Sequence, residues 1–247
     1  MYCKTLRQRV RQPIVSFSFD DFPHSAAMAG AQILEARGVC GTFYLAGSRC
    51  GRTVDGVPQF LIEDLGRLTR AGHELGCHTF GHLSVRGLTA NSLLKEVSQN
   101  SSFLASCLPD QVLSTFAYPF GHLSPPRKRQ LQGLFAACRS SRAGLNEGRI
   151  DLGCLRAVKL YDRLLDFKAI SSLIGRAVSR GSWLIFYTHD VDSCPSPYGC
   201  TPDKLDYAVQ AALATGAEVL PIKSAIGAIQ SAERRVARHA SRLQKSL

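Results

Sequence analysis

The sequence predicts a parallel α/β fold, either a barrel or an open sheet, on three observations. Strand-like apolar runs at 14–19, 41–45, 74–77, 114–118, 155–160, 183–188 and 218–220 alternate with segments of helical composition at 24–37, 58–71, 89–107, 126–137, 166–180 and 202–215. Such alternation is the mark of βα units, whose strands lie side by side and parallel. Gly38, Gly72, Gly181 and Gly216 stand where helices end and the chain needs a left-handed turn. The residues just after the strands are unusually polar. Asp20-Asp21 follows the first run, His78 the third, Pro119-Phe120-Gly121 the fourth and His189-Asp190 the sixth. In both parallel architectures chemistry gathers at the carboxyl ends of the strands, which makes these positions the candidates.

Composition narrows the class. The chain has 247 residues, 45% hydrophobic and 20% charged, with 21 Gly and 11 Pro. That is ample apolar material for a core, and no apolar run approaches the ~18 residues a membrane span needs. Disordered, collagen-like and membrane-spanning classes are excluded. The net charge is +11, but it sits at the ends. Residues 1–11 carry Lys4, Arg7, Arg9 and Arg11 with no acid. Residues 222–247 carry Lys223, Arg234, Arg235, Arg238, Arg242 and Lys245 against Glu233, so the body, 12–221, is close to neutral. The chain is therefore read as a catalytic body at 12–221, a basic N-terminal arm at 1–11 and a basic C-terminal helix or tail at 222–247. From Ala225 onward, Ile226, Ile229, Val236, Ala240 and Leu243 recur among the basic residues as in an amphipathic helix. No specific nucleic-acid partner is expected from solvated basic ends, and the sequence does not set an oligomeric state. The first residues are basic without an apolar stretch behind them, unlike a secretory signal, so a cytoplasmic location is expected. Nine cysteines, scattered and without a C-x-x-C pair, exclude a zinc ribbon or a thioredoxin-like motif. Most are expected to be reduced; Cys194 and Cys200 bracket a five-residue segment that they would close if oxidised.

Three features carry chemistry. Ser16-Phe17-Ser18-Phe19-Asp20-Asp21-Phe22-Pro23 sets two carboxylates directly after an apolar strand. Adjacent aspartates repel unless a cation or hydrogen bonds hold them; a turn or a helix N-cap is the plainer reading. Cys77-His78-Thr79-Phe80-Gly81-His82 spaces two imidazoles i, i+4, which lets both reach one ion, although core or surface histidines share that spacing. His189 closes the run Leu184-Ile185-Phe186-Tyr187-Thr188, where a lone histidine is commonly a hydrogen-bonded structural residue. All three lie at strand carboxyl ends, which favours one shared site. His73, before a strand, reads as structural. Trp183 opens a strand away from the end carrying His189 and reads as packing.

These residues resemble the polysaccharide deacetylases of carbohydrate esterase family 4, which share the domain of the nodulation-type chitooligosaccharide deacetylase. The first motif, roughly Thr-Phe-Asp-Asp-Gly-Pro, corresponds to 18–23. His-Ser/Thr-x-x-His is matched by His78, Thr79 and His82, and a third region by Phe116-Ala117-Tyr118-Pro119-Phe120-Gly121. The resemblance covers about 13–122 and 182–221 and implies a distorted, incomplete (β/α) barrel of about seven parallel strands. It also implies roles. Asp21, His78 and His82 hold a divalent metal, zinc before cobalt, nickel or manganese; Asp20 is the general base and His189 the general acid. The backbone N–H of Phe120 steadies the oxyanion, with Tyr118 and Pro119 beside it on the substrate side. Tyr118, Phe120 and Tyr198 are candidate surfaces for stacking a sugar ring. A three-ligand metal leaves room for water and carbonyl, which is what amide hydrolysis requires.

Two departures from the family pattern stand out. Phe22 replaces the motif's Gly and is expected to narrow or reshape the mouth of the site. Ala117 replaces an Arg that in many members pairs with the base, and Arg156 is the candidate substitute. Asp162 or Asp166 is the candidate to tune His189. The expected function is metal-dependent removal of N-acetyl groups from an amino-sugar glycan such as a chitooligosaccharide. The alternatives are hydrolysis of a small or cyclic amide at the same metal site, and a catalytically degenerate glycan-binding protein.

Overall fold

The structure, a computed structural model, describes residues 4–8 and 12–245, with side chains described as far as Val236. Eight strands make the main sheet: β1 (Ile14–Asp20), β2 (Thr42–Leu45), β3 (Glu74–Cys77), β4 (Thr115–Ala117), β5 (Ala137–Arg139), β6 (Val158–Lys159), β7 (Trp183–Thr188) and β8 (Glu218–Val219). Seven of them follow the order β6-β7-β1-β2-β3-β4-β5, while β8 pairs with the first two residues of β1. Every pairing is parallel. The sheet curls without closing. Between β5 and the segment leading into β6 there is one bridge, Arg139 to Leu155, among the described residues. The chain is thus an incomplete α/β barrel, as expected.

Seven α-helices accompany the strands: α1 (Ala31–Ala36), α2 (Ile62–Arg70), α3 (Ala90–Cys107), α4 (Pro125–Leu134), α5 (Phe167–Arg180), α6 (Pro202–Ala214) and α7 (Ile222–Lys245). Local chemistry sets several ends. The Thr89 hydroxyl accepts from Ser92 N at the start of α3, and the Asp166 carboxylate accepts from Ala169 N at the start of α5. Gly181, at φ 56°, ends α5 in the left-handed region that costs glycine nothing. The predicted first helix instead begins as a π-helical turn, Ala26–Gly30, before α1. The predicted helix at 126–137 is shorter: α4 ends at Leu134, and the residues that follow form β5.

Strand alternation sorts the side chains into two cores. Outward residues Phe17, Phe19, Phe43, Leu75, Phe116, Leu184 and Phe186 pack against the helices, with Phe19 stacked on Phe43 at 4.5 Å. Inward residues Ile14, Tyr44, Ala117, Ala137, Trp183, Ile185 and Tyr187 fill the barrel. Gly76 admits the Tyr44 ring there, since a Cβ would lie 2.4 Å from it. Trp183 packs as expected, its indole N–H donating to Ser16 Oγ at 2.9 Å. The inner core is completed by Ile222, Ala225, Ile226 and Ile229 of α7 and by Leu6 and Ile150 of an antiparallel ribbon, Thr5–Arg7 with Arg149–Asp151. The Glu74 carboxylate receives Thr42 Oγ1–H, Thr115 Oγ1–H and Lys223 N–H at 2.9, 2.6 and 2.9 Å. It thereby ties the amino end of α7, the positive end of its dipole, into the barrel.

Candidate active site

Five non-glycine residues at or beside the carboxyl ends of β1, β3 and β4 have positive φ: Asp21 (57°), Phe22 (25°), Thr79 (57°), His82 (53°) and Phe120 (60°). Each such residue costs about 1–2 kcal/mol, and strain of this kind collects where a site needs particular side-chain directions. Its use at Asp21 is plain. Continued alternation would send Asp20 and Asp21 to opposite faces, yet both line the same cleft. The next side chain, Phe22, then turns into the outer core, where it is 0% exposed and stacks on Phe60 at 4.4 Å. Phe22 therefore does not narrow the mouth of the site; it packs away from it.

Asp21, His78 and His82 converge, with one ligand atom of each within 4.8 Å of the others. Nε2 of His78 is 3.9 Å and Nε2 of His82 is 3.4 Å from Asp21 Oδ1. That oxygen is buried and has no hydrogen-bond partner. A buried carboxylate oxygen without a hydrogen bond, facing two imidazole nitrogens, is an arrangement that a cation among them would complete, so the residues fit a divalent metal. His78 donates Nδ1–H to the Ala117 carbonyl at 2.8 Å, which leaves its Nε2 lone pair toward the site. The two histidines converge from a loop rather than a helical turn. Thr79 Oγ1 holds it by accepting from Leu83 N at 2.9 Å, and Glu96 by accepting from Gly81 N at 2.6 Å. Burial drives His78 below the usual histidine range despite the nearby Asp20 and Asp21. Burial, aided by His78, Arg49 and His189, pushes His82 down to about 2. Both rings are neutral at physiological pH, the form that ligates.

Arg139 donates to Asp20 Oδ1, and its guanidinium lies over the rings of Tyr187 (4.5 Å) and Tyr44 (5.4 Å). Burial raises the Asp20 pKa, but Arg139, followed by His78 and His189, outweighs it and holds the carboxyl below its ordinary value. The orienting arginine is thus Arg139 and not Arg156, whose guanidinium binds the Ala143 carbonyl instead. Register explains the substitution. Ala117 and Arg139 are partners across β4 and β5, so the guanidinium arrives from the neighbouring strand at the level that the small Ala117 leaves open. Sequence reading missed it because three residues, Ala-Cys-Arg, with no turn signal before them, look like the continuation of a helix.

His189 follows β7, its Nδ1 3.3 Å from the Tyr198 carbonyl that it faces as donor, with the Tyr161 and Tyr198 rings at 5.8 and 5.6 Å. Neither predicted aspartate orients it: Asp162 binds Lys204 and Thr201, and Asp166 caps α5. The cleft, of about 470 Å³, also receives Tyr161, Tyr187, Lys159 and Arg163, none of which the sequence motifs marked. Tyr187 was discoverable as the inward position two after Ile185. Phe120 and Tyr198 are 61% and 54% exposed, whereas Tyr118 is 1% exposed with its hydroxyl bonded to the Gly153 carbonyl. Tyr118 is therefore not a stacking surface, and Pro119 is buried at the start of the turn that presents Phe120. Cys194 is exposed and Cys200 buried, both as free thiols. His73 is structural, accepting from Gly41 N at 2.9 Å.

Comparison with known proteins agrees with this fold. A chitin deacetylase from Pestalotiopsis sp is 28% identical over 93 residues, 38% of this chain and 30% of that protein's length. A family 4 acetyl xylan esterase from Clostridium thermocellum, solved with a cobalt ion, superposes with a TM-score of 0.60 at 18% identity over 85% of this chain and 89% of its own. The peptidoglycan deacetylase PdaC from Bacillus subtilis gives 0.59 at 16% identity over 94% and 97%. A family 4 pseudoenzyme from Bacillus anthracis gives 0.59 at 13% identity over 87% and 66%. The family model for polysaccharide deacetylases matches residues 7–133, just over half of the chain, and the chain belongs to that family.

Proposed function

We propose that the chain is a metal-dependent hydrolase that removes N-acetyl groups from an amino-sugar glycan or oligosaccharide. The observation that carries the reading is the pairing of two units on one cleft floor. One is the Asp21–His78–His82 donor set with its orphaned oxygen. The other is Asp20, kept ionised by Arg139. The chitin deacetylase relative and the cobalt ion named with the acetyl xylan esterase structure support it.

Asp21, His78 and His82 would hold the metal, zinc first, with cobalt, nickel or manganese as alternatives. When bound, a divalent cation supplies Lewis acidity that polarises an acyl carbonyl and acidifies water. Asp20, charged and held in one orientation by Arg139, accepts the proton of the attacking water. His189, its Nδ1–H directed at the Tyr198 carbonyl, presents Nε2 to the cleft as the donor to the departing amine. The Phe120 turn, held at φ 60°, offers its backbone N–H to the oxyanion. Exposed Phe120 and Tyr198 flank the opening as flat apolar surfaces suited to a sugar ring. Phe22 and Ala117, the two departures from the family pattern, give no support to the small-amide alternative: Phe22 lies in the outer core and Arg139 complements Ala117.

The test is acetate release from N-acetylglucosamine oligomers by the zinc- or cobalt-loaded protein. Asp20→Asn, which keeps shape and loses the base, is expected to lower kcat by about 10²–10⁴-fold. Full activity in that variant, or no turnover with any metal, would overturn the reading.

A further inference from the structure

We propose that Arg49 is a built-in rival of the cation, setting how tightly the Asp21–His78–His82 site takes up a divalent metal; this rests on the metal-centre reading above. Arg49 ends the turn Gly47–Arg49 that follows β2, and its guanidinium reaches two members of the donor set. Nη1 is 3.3 Å from Asp21 Oδ2, and Nη2 donates to His82 Nδ1 at 2.8 Å.

A guanidinium has donors only, so His82 must turn a lone pair toward it at Nδ1. The hydrogen of this neutral ring therefore sits on Nε2, the nitrogen that faces Asp21 Oδ1. A ligating imidazole needs the reverse: a lone pair at the ligating nitrogen and an N–H at the other, given to an acceptor. His78 has that arrangement, with Nδ1–H on the Ala117 carbonyl. The two histidines of one site thus stand in opposite tautomers, and the difference comes from Arg49.

Metal uptake through His82 Nε2 requires the ring to exchange tautomers. The Nε2 proton goes to solvent and Nδ1 takes one from solvent, so the ring stays neutral. Nδ1–H then meets the Arg49 donor, and the guanidinium must withdraw. It has to do so by side-chain rotation, because the backbone of its turn is pinned. Gly47 N donates to Asn100 Oδ1 and Ser48 N to the Phe80 carbonyl, and a Cβ on Gly47 would lie 2.8 Å from Phe103. Losing the bond to His82 and placing two cations near Asp21 both oppose uptake. Arg49 thereby makes the site weaker and more readily exchanged than its three ligands alone would be.

The test uses the full chain after chelator treatment. Zinc affinity is measured at fixed pH by competition with a chromophoric chelator, for the wild type and for Arg49→Met, which keeps the stem and removes charge and donors. The expected result is a zinc dissociation constant at least tenfold lower in the variant, within the ~10–100-fold range over which groups behind a ligand tune metal affinity. An unchanged or raised constant overturns the inference and leaves the metal-centre reading standing, whereas absence of zinc binding in both proteins overturns both. A second measurement needs no variant. Histidine ¹⁵N NMR of the chelator-treated wild type should find the His82 hydrogen on Nε2, and a hydrogen on Nδ1 would overturn the inference.

Discussion

Asp20 illustrates how much one neighbour decides for a buried charge. Burial alone would raise its pKa; beside Arg139 it lies below the ordinary 3.8. A lowered folded-state pKa means that the charge contributes stability above the unfolded value and loses it as pH falls through the folded one. Arg139→Met reverses the sign. The carboxylate keeps its burial without its cation, so its pKa should rise above the ordinary value. Breaking a buried pair in this way costs about 3–5 kcal/mol, and here the cost should shrink as acid neutralises Asp20. Urea unfolding at several pH values checks this, together with an acid limb of kcat/KM that moves upward; an unshifted limb would sink it. Phe22 sets a different balance at the same turn. Phe22→Gly should relieve the strain of φ 25° but delete a ring that stacks on Phe60 and meets Phe43 edge-on. Losing the ring outweighs the strain, for a net loss of about 2 kcal/mol. Because the ring faces the outer core, KM should hold while the unfolding midpoint falls.

Elements differ in how plainly they announce themselves. The starts of α3 and α5 were legible to a residue because Thr89 and Asp166 cap them through their own side chains and Gly181 ends α5. β1 and β7 were legible because Ile, Val, Leu and aromatic residues dominate seven- and six-residue runs that are buried throughout. β5 was hidden. It is three residues long, begins three residues after α4, and gains its identity from Thr115 and Ala117 alongside it. The ligand set was visible as motif spacing, but the left-handed turns at Asp21 and His82 that aim it were not, since no glycine marks them. α7 was legible as an amphipathic helix and its destination was not. Its Ile222, Ile226 and Ile229 complete the inner core rather than lying on the barrel's surface. At about 1.5–3 kcal/mol for each fully buried isoleucine, these three rival the 5–15 kcal/mol of a whole domain. A chain ending at Pro221 should therefore show no cooperative melt by circular dichroism, and a native-like melt would show α7 to be dispensable.

On the scale of the whole molecule, the donor set exists only when the barrel does. Asp21 follows β1, His78 follows β3 and His82 lies beyond it, with β2 inserted between the two strands, so an unfolded chain does not bring the three together. A ligand that binds only the folded state stabilises it by mass action, about 2.7 kcal/mol at a hundredfold excess over its dissociation constant. For a chain of this length each kcal/mol moves Tm by roughly 2–4 °C. Zinc should then raise the melting temperature by about 5–10 °C, in a concentration-dependent way that EDTA reverses. Asp21→Asn is the informative control. Asparagine tolerates the left-handed backbone that Asp21 occupies at φ 57°, so the turn survives while the anionic ligand is lost. The variant should melt near the temperature of the chelated wild type and respond little to zinc. Equal zinc shifts in both proteins would place the ion elsewhere and detach the family's chemistry from these three side chains.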